Sequence, residues 1–235
     1  MKRFYKSVAV ELVDAGWRVM LDGRPIKTQG RRPQQVPTRA LAEAMAAEWA
    51  AQGAEIEPAT FFLRDLADYA IDMIAADRDA VIGEIVPFAE TDTLCYRADP
   101  DEPFHRRQCA VWDPLLTAAE QRHGLKFERV SGIIHHPQPP ETLAALRALL
   151  EAQDDFTLAA LKTLASLAAS LVIGLAALDE DADAEALWNA ANLEEDWQVE
   201  QWGSDYLAEE VRARRLKTFT QALRFITLLR DQGAG

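Results

Sequence analysis

Apolar and polar positions alternate over the first 28 residues, and most of the remaining chain then follows a helical period. Val8, Val10 and Leu12 alternate with Ala9 and Glu11, and Trp17, Val19 and Leu21 alternate with Arg18 and Met20. A period of two places successive side chains on opposite faces, so both runs predict strands with one apolar face. Asp14-Ala15-Gly16 supplies the first turn. Asp22-Gly23 supplies the second, because both residue types tolerate the positive φ that a two-residue hairpin needs. A third strand is predicted from Arg24 to Thr28, completing a meander. After a polar loop from Gln29 to Val36, Thr38 caps a helix predicted from Arg39 to Gln52, with Gly53 as its stop. Further helices are predicted from Phe62 to Ala76, Arg78 to Phe88 and Glu102 to His123, the last closing at Gly124. Thr93 to Arg97 and Lys126 to Ile134 read as short strands that could join the meander.

His135-His136-Pro137-Gln138-Pro139-Pro140 interrupts this pattern, since proline blocks both helix continuation and sheet pairing. Everything after it reads as helix: Pro140 to Gln153, Phe156 to Leu178, Ala182 to Ala191, and Leu193 onward. Phe219, Leu223, Ile226 and Leu229 keep a helical stripe to the end. The expected fold class is α+β. A small N-terminal domain with an antiparallel sheet and helices, residues 1–137, is followed by an all-helical C-terminal domain, residues 138–235. The run from Phe156 to Leu178 is the one stretch apolar enough to test as a membrane span. It holds Lys162 and much Ala, and its flanks are acidic, so a buried central helix is expected and no membrane insertion.

Composition narrows the partners. With 38 Asp and Glu against 25 Lys and Arg, the net charge is −13. Phosphate backbones require clustered cations, so nucleic acid is not an expected partner. Such a charge also favours a monomer when free. The two cysteines, Cys95 and Cys109, read as buried thiols of a reducing compartment. The opening MKRFYKSVAVEL lacks the apolar segment of a signal peptide.

The 22 residues from Asp179 to Glu200 hold nine carboxylates and no Lys or Arg, yet Trp188 and Trp197 lie among them and Trp202 follows. Two readings are open. One is an acidic helix with its tryptophans turned into the core. The other is a surface that grips a basic, partly apolar partner, because buried unpaired carboxylates are too costly for this to be a core helix. Catalytic patterns are missing: there is no phosphate loop, GxGxxG, HExxH or GxSxG. His105 and His123 would lie about 27 Å apart along one helix, and adjacent His135 and His136 point to opposite faces of a strand. No metal or other cofactor is expected. An acid–base hydrolase with an interdomain carboxylate cleft is the alternative class, with Asp92 near Cys95 or Asp113 near His105 as its candidates. Arg106, Arg107 and Trp112 read as structural, pairing with acidic helices or filling the core.

Six stretches in order, KRFYKSVAVE, GWRVMLDGRPIKT, ALAEAMAAEWAAQG, TDTLCYRA, WDPLL and LEEDWQVEQWGSD, resemble one family over nearly the whole chain. It is the family of assembly chaperones that attend the α subunit of the F-type ATP synthase catalytic head, found in mitochondria and related bacteria. The resemblance implies a non-enzymatic protein that binds the unassembled α subunit and prevents its aggregation until the β subunit replaces it. By match to the family's acidic motif, Glu194 is the first candidate contact and Glu195 the second. Trp197, Glu200, Trp202 and Asp205 complete the expected partner-binding set, with Trp197 and Trp202 open to either core or interface. A bacterial cytoplasmic protein or a mature form in the mitochondrial matrix is expected.

Overall fold

The computed structural model describes residues 1–132 and 134–231. Packing divides the chain into two compact units. The first contains Met1–Arg78, Asp154–Ala160 and the chain from Arg224 on; the second contains Asp79–Gln153 and Leu161–Leu223.

The first unit is built on the predicted meander: β1 (Val8–Val13), β2 (Gly16–Leu21) and β3 (Arg24–Pro25), in the order β1-β2-β3. Val10 lies opposite Val19 and Val8 opposite Leu21, which joins the apolar members of both strands on one face. Val19 and Leu21 are buried beside Leu41, Ala42 and Met45 of α1 (Arg39–Ala50). Gly16 (φ 129°) opens β2 where Trp17 and Val36 exchange backbone bonds of 2.8 and 2.9 Å. A Cβ at Gly16 would sit 2.4 Å from the Val36 carbonyl oxygen, so that approach requires glycine. Thr38 caps α1 as expected: its hydroxyl accepts from Leu41 N at 3.2 Å and donates to Leu228 O at 2.7 Å. β3 is shorter than predicted, because Pro25 has no N–H to give the ladder. The helix predicted from Phe62 is α2 (Phe62–Tyr69), which widens into a π turn over Ala70–Ile74. There Asp72 accepts from Thr28 Oγ1 and Gly30 N, both at 2.7 Å, and so fastens the polar loop that follows the sheet.

The second unit is helical apart from one short ladder. Its elements are α3 (Arg78–Ile85, from Asp79 on), α4 (Pro87–Glu90), β4 (Tyr96–Arg97), α5 (Pro103–His123), β5 (Val130–Ser131) and α6 (Pro140–Glu151). They are followed by the later part of α7 (Asp155–Ala168), then α8 (Leu171–Ala176), α9 (Ala184–Ala191), α10 (Leu193–Trp202) and α11 (Tyr206–Arg230) as far as Leu223. Trp112, Leu116, Leu146, Leu150, Trp188 and Phe219 are buried at its centre.

Three expectations differ from this arrangement. The late strands do not join the meander; β4 and β5 pair with each other in parallel, Tyr96 opposite Val130. Of the strand expected from Lys126 to Ile134 only Val130–Ser131 forms, and Ile133 lies outside the described residues. The run from Phe156 to Leu178 is not one helix. Ala169 takes φ 47°, Ser170 caps Ile173 N at 3.1 Å, and buried Asp92 accepts from Val172 N at 3.0 Å, so α8 starts anew. Among the described residues no helix is long and apolar enough to cross a membrane. The proline-rich stretch itself lies within the second unit. Buried Gln138 accepts from Glu128 N at 2.9 Å and donates to Glu128 O at 3.0 Å, while Thr142 Oγ1 donates to Lys126 O at 2.6 Å. The proline-rich stretch is thereby sewn onto the segment before it. Every regular element after it is helical among the described residues, as expected.

Candidate docking surface

The acidic stretch is organised by caps. Asp183 accepts from Glu185 N and Ala186 N at 2.9 and 3.2 Å and starts α9. Asn192 Nδ2 donates to Trp188 O at 2.8 Å where α9 turns into α10. Glu194, Glu195 and Asp196 occupy the first turn of α10, where the helix dipole favours negative charge. Gly203 (φ 84°) ends it, and Asp205 opens α11 by accepting from Leu207 N at 3.2 Å.

The three tryptophans have three different environments. Trp188 is core, 5.5 Å from the Phe219 ring and 1 % exposed. Trp197 is half-buried and stacked on Phe104 at 5.3 Å, with the Arg107 guanidinium 5.6 Å from its ring. Trp202 is 80 % exposed. An open groove of about 570 Å³ runs between α10 and the start of α11, lined by Glu195, Asp196, Val199, Trp202, Asp205 and Arg212 among others. Val199 is exposed in the same groove, and Tyr206, Leu207 and Val211 are exposed on α11 outside its lining.

The expected residues therefore separate. Glu195, Trp202 and Asp205 meet at this groove. Glu194 is exposed one position away, and its contact is a long 3.5 Å bond from Gln198 Nε2. Trp197 and Glu200 face α5 instead. Glu200 takes a bidentate bond from Arg107 at 2.6 and 2.8 Å, and that bond holds its carboxyl below the usual range and the guanidinium above it. Counter-charge for the groove comes from α11: Arg212 lies 2.5 Å from Asp196 and 3.8 Å from Glu195. Sequence reasoning did not single out Tyr206, Leu207 and Val211, three apolar side chains exposed on α11 outside the groove lining; their signal is their place in an otherwise charged run.

The carboxylates considered for catalysis are occupied. Asp92 is buried, and its two oxygens accept from Leu94 N and Val172 N, each at 3.0 Å. Burial pushes its carboxyl up to about 6, against the pull of those bonds. Burial also pushes the Cys95 thiol well above its ordinary value, away from the thiolate that a nucleophile needs. Asp113 pairs with Arg97 at 2.8 Å. Among the described residues no group of three or more His, Cys, Asp or Glu side chains is placed to hold a metal ion. Arg107 and Trp112 fill the structural roles expected of them: Trp112 is buried and donates to Ala190 O at 2.8 Å.

Residues 2–120 match the family model described as ATP12 chaperone protein. Among curated proteins, mitochondrial atp12 of Schizosaccharomyces pombe is 25% identical over 228 residues, spanning 92% of this chain and 78% of the relative. Among solved structures, Atp12 from Paracoccus denitrificans is 38% identical and superposes with a TM-score of 0.92, covering 97% of this chain and 98% of that one. A mutant of Atp12p from P. denitrificans matches with the same values.

Proposed function

Because the chain belongs to the ATP12 chaperone protein family, we propose that it serves assembly of the F-type ATP synthase by holding the unassembled α subunit on the α10–α11 surface until the β subunit takes its place. The observation that carries this reading is Trp202, 80 % exposed beside exposed Val199 in a groove rimmed by carboxylates. A monomeric protein rarely leaves a cluster of large apolar residues in water without a use for it. An unassembled subunit likewise exposes the surface meant for its neighbour. A few aromatic anchors inside a polar rim bind well enough to shield that surface and remain displaceable. Glu194 and Glu195 supply attraction for a basic rim on the client, Trp202 the apolar anchor, and Asp205 a second carboxylate across the groove. Trp197 and Glu200 support this surface from behind through Phe104 and Arg107. The role is non-catalytic, and the place of action is the bacterial cytoplasm or the mitochondrial matrix, wherever the client is assembled.

Co-expression with α subunit or with β subunit, followed by size exclusion, tests the reading. A soluble complex with α and none with β is expected. Equal capture of β, or no capture of α, overturns it.

A further inference from the structure

The charge of this acidic chain is unevenly distributed. Its first 32 residues carry eight Lys and Arg against three Asp and Glu, in a protein whose net charge is −13. In the first unit, this basic stretch surrounds a second open groove of about 570 Å³, formed by the N-terminal segment, the β2–β3 hairpin and the end of α1. We propose that this groove is a separate docking site for an acidic segment of the client protein, one that carries an apolar side chain beside its carboxylates.

The floor is apolar and preformed. The Tyr5 hydroxyl donates to Trp49 O at 2.6 Å, and the two rings meet edge-on at 5.5 Å. Leu21 and Ile26 close the floor, and Phe4, 64 % exposed, stands beside it with its ring 5.3 Å from Tyr5. Such a recess accepts one or two apolar side chains without rearrangement.

The rim sets the sign of the ligand. Arg24 and Lys27 line the groove, both are exposed, and neither forms an ion pair with a described residue. The one carboxylate in the lining, Asp22, is turned onto the chain itself: it accepts from Lys6 N at 3.0 Å, Ser7 N at 2.8 Å and Ser7 Oγ at 2.9 Å. Two unpaired cations over an apolar floor complement a carboxylate-bearing, partly apolar segment. They are too few for a polyanion, which the net charge of the whole chain also repels. Strand addition is not the mode of capture. β3 is two residues long and carries Pro25, so it offers a blunted edge and the segment must be gripped by side chains.

This inference rests on the proposed client. It gives the protein two grips of opposite charge, an acidic one at α10–α11 and a basic one here. The test is an array of overlapping 15-residue peptides covering the ATP synthase α subunit, probed with the full chain, with Arg24→Glu/Lys27→Glu and with Trp202→Ala. The expected result is a set of acidic, apolar peptides bound by wild type and by Trp202→Ala but lost with the double reversal. For the strongest of them, fluorescence anisotropy should show affinity falling about tenfold or more. The milder Arg24→Gln/Lys27→Gln variant should give a smaller loss, and added salt should weaken wild-type binding. No peptide dependent on Arg24 and Lys27, or a preference for basic peptides, overturns the proposal. Self-association of wild type in sedimentation that the double reversal abolishes also overturns it, because the occupant is then a second copy. Co-elution of α subunit with wild type and with the double reversal alike leaves the chaperone reading standing and removes only this site; failure of α to co-elute at all removes the chaperone reading.

Discussion

Trp202→Ala separates a docking residue from a structural one more cleanly than any other change on α10. The side chain is 80 % exposed, so its removal takes almost nothing from the folded state. An exposed substitution of this kind moves stability by less than about 0.5 kcal/mol. In a chain of 235 residues that is a melting shift of about 1–2 °C. Binding is a different matter. A tryptophan has about 150–250 Å² to bury. Covering the exposed four-fifths removes about 120–200 Å² from water, and at about 25 cal/mol per Å² this contributes about 3–5 kcal/mol. Ordering the indole and imperfect fit against the client take back part of that. A net loss of about 2 kcal/mol is therefore expected, which is an affinity about thirtyfold weaker. Calorimetric titration of soluble α subunit gives the affinity, turbidity of heated α subunit gives the protection, and a thermal melt gives the stability. If affinity stays within about threefold of wild type, the apolar anchor lies elsewhere. A fall in melting temperature beyond about 5 °C would show that Trp202 supports the fold.

Trp197→Ala should do the reverse, losing about 1–3 kcal/mol of stability by emptying the stack on Phe104, as a thermal melt would show; an unchanged melt refutes the supporting role. Glu194→Lys removes a favourable first-turn charge worth about 0.3–1 kcal/mol, so the melt should move only a few degrees while protection of the α subunit drops sharply. Full protection with an intact fold would take Glu194 out of the site. Asp92 gives a pH signature. Its folded value, about 6, lies above its unfolded value of about 3.8, so the native state binds the extra proton and Asp92 favours folding more as pH falls from about 7 to 4, by up to about 3 kcal/mol. Asp92→Asn should abolish that component and be less stable throughout, because one of the two N–H groups at Val172 and Leu94 would face an amide donor. The stability gap between wild type and variant, read from denaturant titrations, should widen as pH falls; a constant gap or one that narrows contradicts the argument.

Local rules carried the reading of the fold where a single element decides its own fate. The meander, the Thr38 cap and the Gly124 stop all rest on near neighbours, and each appears where the pattern placed it. The misses are places where a distant residue intervenes. Between Phe156 and Leu178 the break is weakly announced: Ser170 is a residue type that caps helices, but Ala169 before it is an ordinary helix former. The break is secured from the turn at Asp92, whose carboxylate caps α8, and from Thr93, whose N–H and hydroxyl both donate to Ala169 O at 3.0 Å. The prolines at 137 and 139 lie outside regular structure and Pro140 opens α6, while Gln138 and Thr142 bond back to Glu128 and Lys126.

The candidate surface shows the same division more sharply. A run of carboxylates threaded with tryptophan is legible as either an interface or an acidic helix over a core, and the structure buries Trp188, half-buries Trp197 and leaves Trp202 exposed. What decides each tryptophan is its neighbour on another helix. Phe104 and Arg107 of α5 take Trp197, and with it Glu200, while Phe219 of α11 takes Trp188. Trp202 comes one residue before Gly203 ends α10, so it projects where the chain turns away. After the turn Tyr206, Leu207 and Val211 are exposed on α11, while Arg212 reaches back to Asp196 and Glu195. That return pairing leaves Glu194 as the first-turn carboxylate of α10 without an ion pair among the described residues. It is the one most available to a basic partner, and its low structural commitment is what makes a charge reversal there a test of binding rather than of folding.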